Sequence, residues 1–323
     1  MNPEIEKPKK PELAGLKLPL LEKHLHNKGI DSQTVMPWPG IAALRRAAEH
    51  LGGVVWKPHG KNHNNQRRWL THYEASVSWL DRFDPKELVS TWGKTAETIN
   101  EFLQQRGFPS VQLQSWPRSD RAFGIAAVQE TSLEWLQAGT PAVVRNDRRD
   151  FKGVHLDKGA QVRFWHAEGF PNVIAQIPIL GDSGDSVLLT EYPSVRGFEL
   201  LDTAIQMGSI LSTATPATYD EIIFPMISLV RRPNVGWLCG IQIDDSAGGP
   251  WELVQAIQED RLTLDTRGAK AQSAFAGGMR YLTSFKPPVS ILKIDKPMLC
   301  VLKRRGLPLP LAAAWLNTDS WVR

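Results

Sequence analysis

Residues 261–322 read RLTLDTRGAKAQSAFAGGMRYLTSFKPPVSILKIDKPMLCVLKRRGLPLPLAAAWLNTDSWV. The stretch opens on RLTLD, a run of strand composition. TRGAKAQSAFAGG follows, dominated by Gly, Ala and Ser, and then MRYLTSFKPP, with charged, aromatic and apolar side chains ending at Pro287-Pro288. Loops usually favour Asn, Asp and Pro, yet the twelve residues after Arg267 contain none of the three. Small residues without proline suit a segment that enters a sheet between existing strands, since no bulky side chain has to be forced past its neighbours. VSILKIDKPMLCVLKR then reads as a strand pair broken by Pro297, and LPLPLAAAWLN as a closing strand.

Outward from this stretch the chain changes character about a third of the way along. MNPEIEKPKKPEL is charged and interrupted by Pro3, Pro8 and Pro11, so residues 1–14 read as a flexible tail and 15–323 as one domain. Leu16 to Lys28 fits a short amphipathic helix. Ile41, Leu44, Ala47, Ala48 and Leu51 fall at helical spacing before Gly52-Gly53. Further helices are expected over Leu70 to Phe83, Pro85 to Arg106, Val195 to Met207 and Trp251 to Gln258. AFGIAAV, AVVR, QVRFWHA, NVIAQIPIL, SVLLTEY and EIIFPMISLV read as strands. Helices early and strands late make an α+β plan rather than a doubly wound one, and no internal repeat is found.

Composition bounds the function. The chain has 323 residues, 42% hydrophobic, and a net charge of +4, too small to imply nucleic acid by itself. It has no run of about 20 apolar residues that would span a bilayer and no apolar signal core near Met1, so a cytoplasmic location is expected. Cys239 and Cys300 lie in apolar surroundings and read as buried free thiols. GDSGDS at 181–186 has Asp185 where a Gly-Asp-Ser-Gly-Gly nucleophile motif needs Gly, and its residues are those of a hairpin turn. Pro58 and Gly60 flank His59, so His59 and His63 are not expected to share a helix face as metal ligands. Lys57, Lys61, Arg67 and Arg68 form a basic run, a solvated face or a weak polyanion contact. The twelve tryptophans read as packing residues.

The order of features over 261–322 resembles the reactive-centre region of the serpins. Gly268 matches the glycine where the loop leaves its strand, and Ala269, Ala271, Ser273 and Ala274 match the small hinge residues after it. Pro287-Pro288 matches the prolines that follow the cleaved bond in many members. Asp295-Lys296-Pro297-Met298-Leu299 stands where the family has Asp-Arg-Pro-Phe-Leu, and Pro310-Leu311 begins a match to the closing Pro-Leu-Phe strand. Upstream, MPWPGIAALRRAAEHLGG looks like the Ser-Pro-x-Ser helix. AAVQETSLEWL looks like the central strand that ends in a buried tryptophan, here Trp135. NVIAQIPILGDSGDSVLLTEYP looks like the hairpin with the Leu-Pro elements, and EIIFPMISL like the Leu-Pro-Lys-Phe strand. The match runs over 35–322 with gaps and hardly touches 57–110.

The resemblance implies three β-sheets, about seven to nine helices and an exposed reactive-centre loop. It implies a monomeric suicide-substrate inhibitor of a serine or cysteine protease, metastable until cut, with no catalytic residues, cofactor or metal of its own. Family spacing places the reactive bond at Leu282-Thr283, with Arg280 and Tyr281 as alternative residues beside it. Thr266 stands at the hinge glutamate position, Met36 and Pro39 near the two shutter serines, Ala127 at the central-strand asparagine, and Phe275 at a position that is usually threonine. These departures keep open a non-inhibitory, serpin-like binding protein.

Overall fold

Helix α1 (Pro37–Leu51) shows how sequence places the first buried face. Its prolines occupy the first turn, where no N–H is needed, and Gly52 ends it at φ 63, its N–H reaching Ala48 and Glu49 carbonyls. Trp38, Ile41, Leu44, Ala47 and Leu51 all point inward and are buried. The computed structural model describes residues 30–52, 55–116, 122–181, 184–270 and 289–323.

The largest sheet has seven strands, in the order β1 (Gln33–Val35), β20 (Ala312–Leu316), β19 (Met298–Lys303), β10 (Ser186–Glu191), β9 (Ile174–Pro178), β8 (Arg163–His166) and β11 (Thr215–Pro216). Every pairing is antiparallel, with Val187 opposite Leu302 and Leu189 opposite Cys300. Its middle strands read as continuous apolar runs because both faces are covered. One face joins the main core, and the other lies under α4 (Gly197–Ile210), where Leu188, Leu299, Val301 and Trp315 meet Leu200 and Met207.

A second sheet runs β6 (Thr140–Asn146), β7 (Arg149–Leu156), β12 (Glu221–Pro225), β18 (Ile291–Lys293). Asp147 and Arg148, at φ 44 and 67, make the two-residue turn between β6 and β7 that strand twist favours. β18 lies parallel to β12. A small sheet joins β15 (Pro250–Glu252), β14 (Gln242–Asp244) and β2 (Trp56–Lys57).

Two further ladders belong together. One is β13 (Ile227–Arg231), β16 (Asp260–Leu264), β17 (Gly268–Lys270), β5 (Ser132–Glu134); the other is β3 (Leu88–Gly93) with β4 (Gly124–Gln129). Only Glu130 and Thr131 separate β4 from β5. Alternation keeps its phase across them: Ile125, Leu133 and Trp135 face the main core, while Ala126 and Val128 face Ile99 and Leu103 of α3 (Ala96–Gln105). The two ladders are thus halves of one split sheet.

Several expectations are corrected. Four α-helices occur among the described residues, the fourth being α2 (His63–Ser76), with three short 3-10 turns, not seven to nine helices. The strands form five hydrogen-bonded groups instead of three sheets. Pro85 to Arg106 is not one helix: Leu88–Gly93, with its β-branched and aromatic side chains, pairs with β4, and α3 starts only after Thr95, whose hydroxyl caps Thr98 N–H. Trp251 to Gln258 is not helical either. Trp251 pairs with Ile243 in a hairpin and its indole N–H donates to Asp245, so tertiary pairing overrides helical spacing. EIIFPMISLV is two strands: up to Pro225 it pairs with β7, whose Lys152 carbonyl still receives Met226 N–H, and from Ile227 it pairs with β16 instead. The helix expected at 16–28, like the tail at 1–14, lies outside the described residues.

Candidate functional site

The strand that the sequence marks as unusual, Gly268–Lys270, sits inside the split sheet. β17 pairs with β16 on one side (Leu264 opposite Ala269) and with β5 on the other (Ala269 opposite Leu133). A tight turn delivers it there. Asp265 accepts from Arg267 N–H at 2.8 Å and Gly268 N–H at 3.2 Å, and its own N–H donates to the Gly268 carbonyl. The turn is stitched to the chain after β5: Trp135 N–H donates to Arg267 O, Gly139 N–H to Thr266 O, and the Trp135 indole N–H to Asp265 O at 2.8 Å. Trp135 is buried, edge-on to Phe224. Gly268 has to be glycine, since a Cβ there would stand 1.9 Å from the Leu133 carbonyl oxygen.

Beyond β17 the sheet is open. Among the described residues β4 pairs with β3 alone, and β16 has no partner toward β4 before Thr263. A cavity of about 420 Å³ lies between them, with apolar walls from Leu44, Leu103, Val128, Leu229 and Leu253. Its polar lining includes Gln129, Gln258 and Asp260. Asp260 is 1% exposed; one oxygen accepts from Gln258 Nε2 at 2.8 Å, and Oδ2 has no hydrogen-bond partner among the described residues. Burial pushes its carboxyl up to about 6, opposed by Gln258 and the nearby Thr34 hydroxyl and reinforced by the Glu259 charge. That hydroxyl lies close but makes no bond of ordinary geometry. Gln129 spends its amide N–H₂ on Thr131 Oγ1 and Leu311 O, and its Oε1 is likewise without a partner.

The far end of the segment 271–288 is also anchored. Asp220 N–H and Glu221 N–H both donate to Ser290 O, and β18 continues along β12. Past it, Asp295 and Lys296 N–H groups meet Glu191 Oε1, and the Trp38 indole donates to Pro310 O.

Of the hinge residues, Thr266 lies in the turn, Gly268 and Ala269 in β17, with Ala269 buried. Ala271, Ser273, Ala274, Arg280, Tyr281, Leu282 and Thr283 fall outside the described residues. In the basic run, Lys57 pairs with Asp244, Arg68 pairs with Asp202 and lies over Phe198, Arg67 meets the His63 ring, and Lys61 is exposed. Asp185 of the GDSGDS stretch accepts from Arg304, a structural role. Cys239 and Cys300 are both unpaired, but only Cys300 is buried; Cys239, just after the 3-10 turn Gly236–Leu238, is half-buried. No group of three or more metal-ligating side chains occurs among the described residues, and no described helix is long and apolar enough to cross a membrane. Sequence reading missed Asp260 and Gln129. The signal for Asp260 was present: it precedes Leu262 and Leu264 at a spacing of two, which puts a carboxylate on the buried face of β16.

No family model and no curated protein matches this sequence. Solved structures do match in fold. A serpin from Schistosoma mansoni aligns with a TM-score of 0.55 at 11% identity, covering 89% of this chain and 95% of that one. Serpin48 of the insect Tenebrio molitor, described as highly specific, aligns with a TM-score of 0.53 at 12% identity over 90% and 92%. Thyroxine-binding globulin in complex with thyroxine aligns with a TM-score of 0.53 at 11% identity over 91% and 94%.

Proposed function

We propose that this chain, which has the serpin fold, is a suicide-substrate inhibitor of a serine or cysteine protease and not an enzyme. In this reading the protease cuts the segment between β17 and β18, with Leu282-Thr283 the first choice of bond and Arg280 to Phe285 the window. The freed segment then enters the gap between β4 and β16 as a new strand. What supports the reading is β17 itself: Ala269 and Lys270 are seated between β16 and β5, with Gly268 paired to β5, in line with the open gap. In the inserted strand of this proposal, alternation puts Ala271, Ser273 and Phe275 on the core face with Ala269, and Gln272 and Ala274 on the other face. Ala271 and Ser273 bring small side chains to the crowded side, and Phe275 is the bulky exception. The uncut protein is then a kinetic trap, held by a barrier. A monomeric cytoplasmic inhibitor, with a weak polyanion contact at Lys57, Lys61, Arg67 and Arg68, completes the proposal.

The test is incubation with a panel of serine and cysteine proteases followed by denaturing electrophoresis. A protease-sized covalent adduct, with the released C-terminal peptide starting between Tyr281 and Lys286, is expected. Clean cleavage without adduct across the panel overturns inhibition.

A second reading, a non-inhibitory binding protein, draws on Phe275 and on the fold shared with thyroxine-binding globulin. A bulky ring at a core-facing step slows insertion, so the protease escapes. A nicked product with no gain in heat stability supports this second reading.

A further inference from the structure

We propose that the cavity between β15, β2 and the start of β4 is a binding site for a small organic cation with an apolar body, of the alkyl- or arylammonium class. The inference is independent of cleavage and insertion. The cavity holds about 700 Å³, a volume suited to a small organic ligand. It shares Leu113, Ile125, Leu253 and Gln255 with the gap between β4 and β16, but none of Gln129, Gln258 and Asp260.

Four aromatic side chains from separate parts of the chain line it: Trp56, Trp116, Phe123 and Trp251. Strand register brings two of them together. Ile243 stands opposite Trp251 on one side and opposite Trp56 on the other, so the two indoles share one face of the small sheet. Phe123 lies 5.3 Å from Trp251 and is backed by His50, which stacks on Trp92 at 3.7 Å. The rings are thus held in place before any ligand arrives.

The polar groups of the walls decide which ligand fits. Trp251 N–H donates to Asp245 Oδ2 at 2.9 Å and Trp116 N–H to Lys94 O at 3.1 Å. Trp56 N–H is buried and turned toward the Tyr73 hydroxyl, without a bond of ordinary geometry. The Gln255 amide is spent on Gln114, accepting from its N–H and donating to its carbonyl. What remains for a ligand among the described lining residues is π faces and two carboxylates, Asp245 and Glu252, with no cationic side chain.

Asp245 keeps its charge, because Trp251 and the Gly249 and Ala247 N–H groups hold its carboxyl below the ordinary range. Glu252 is exposed, with Gln242 Nε2 at 3.4 Å. Neighbouring cations do not cancel these charges. Lys57 pairs with Asp244 and Arg46 with Glu49, and Lys94 is exposed outside the lining. Burial, with Arg46 and Lys94 nearby, lowers His50, so its ring is neutral at pH 7.5. A cation against the Trp251 face, with a carboxylate at the edge of that ring, gains from both. Its hydrocarbon body covers Leu51 and Ile125. An anion would meet two like charges, and a neutral ligand would use the apolar wall alone.

The probes are phenyltrimethylammonium and its uncharged isostere tert-butylbenzene, each titrated with the full chain at pH 7.5 in a calorimeter. The cation is expected to bind about tenfold more tightly, although transfer from water alone favours the isostere. In Trp251→Leu and in Asp245→Asn protein that preference should fall to about twofold or less, while the isostere still binds. Both substitutions touch the β14–β15 hairpin, so the two-probe comparison on unmodified protein stands alone as the first arm. An isostere that binds as tightly as the cation, or no binding by either, overturns the site. A preference that survives both substitutions overturns Trp251 and Asp245 as its source. Neither result bears on the protease adduct, which tests inhibition separately.

Discussion

The seven-stranded sheet and the split sheet are made of similar strands and finished differently. In the first, β9, β10 and β19 have partners on both sides and packing on both faces. Within it the buried Thr190 hydroxyl donates to Asn172 O, and the unpartnered hydroxyl of Thr34 sits on the edge strand β1. In the second, among the described residues, β4 lacks a partner on one side and two buried acceptors lack donors, while a glycine without room for a methyl group holds the junction. The first arrangement is one the chain cannot improve by moving. The second is incomplete in its main chain, its packing and its hydrogen bonds at the same place, and one added strand would relieve all three. Stability and readiness for change are therefore kept in separate sheets.

The same truncation on each side should expose the difference. Leu189 of β10 is fully buried, between Cys300 and Ala175 on its neighbours, and Leu103 of α3 lines the gap beside β4. Leu189→Ala is expected to cost about 4 kcal/mol, because the closed sheet cannot collapse around the void. Leu103→Ala should cost about 2 kcal/mol, since its side chain already borders empty space and α3 is free to settle. Denaturant unfolding of both variants checks the ratio; equal losses would mean that the gap is as tightly packed as the closed sheet.

The junction comes next. Any Cβ at position 268 collides with the Leu133 backbone, so Gly268→Ala must part β17 from β5. The expected loss is roughly 2–3 kcal/mol, confined to the split sheet. Hydrogen exchange reads it directly: protection should fall at Ala269 and Trp135, whose N–H groups depend on this seam, while Val187 and Leu302 keep theirs.

What was legible beforehand follows the same division. Continuous apolar runs such as SVLLTE and MLCVLK declare strands covered on both faces, and Gly52 and the prolines of α1 declare its ends. The composition around Gly268 marked the segment that enters the split sheet. The split itself was not legible, because whether β4 finds a partner depends on a contact far along the chain. Leu88–Gly93 and Trp251 misled for a related reason: their side chains fit helical spacing, and only the pairing with β4 and β14 decides otherwise. Asp260 escaped notice because a polar residue at a strand start ordinarily marks a turn, although its spacing of two from Leu262 and Leu264 was there to be read.

The smallest effect concerns that carboxylate and has a sign that depends on pH. Asp260 is raised to about 6 in the folded chain, from an ordinary value of 3.8, chiefly by burial. The folded state therefore holds a proton more tightly than the unfolded state does, so stability falls as pH rises from about 4 to about 6 and stays lower above that. Arg231, opposite Asp260 on β13, does not reverse this, because its guanidinium is engaged by Asp319 and the Ser32 carbonyl. Asp260→Asn removes the charge and keeps an oxygen for Gln258. At pH 7.5 the variant should be more stable than the parent chain by on the order of 2 kcal/mol. Below pH 4 the parent carboxyl is protonated in both states and the advantage should vanish. Leu189→Ala, in the closed sheet, supplies the control: its deficit should not change over the same range. Unfolding midpoints measured from pH 3.5 to 7.5 test this, and a constant difference between Asp260→Asn and the parent chain would show that Asp260 does not titrate within the fold.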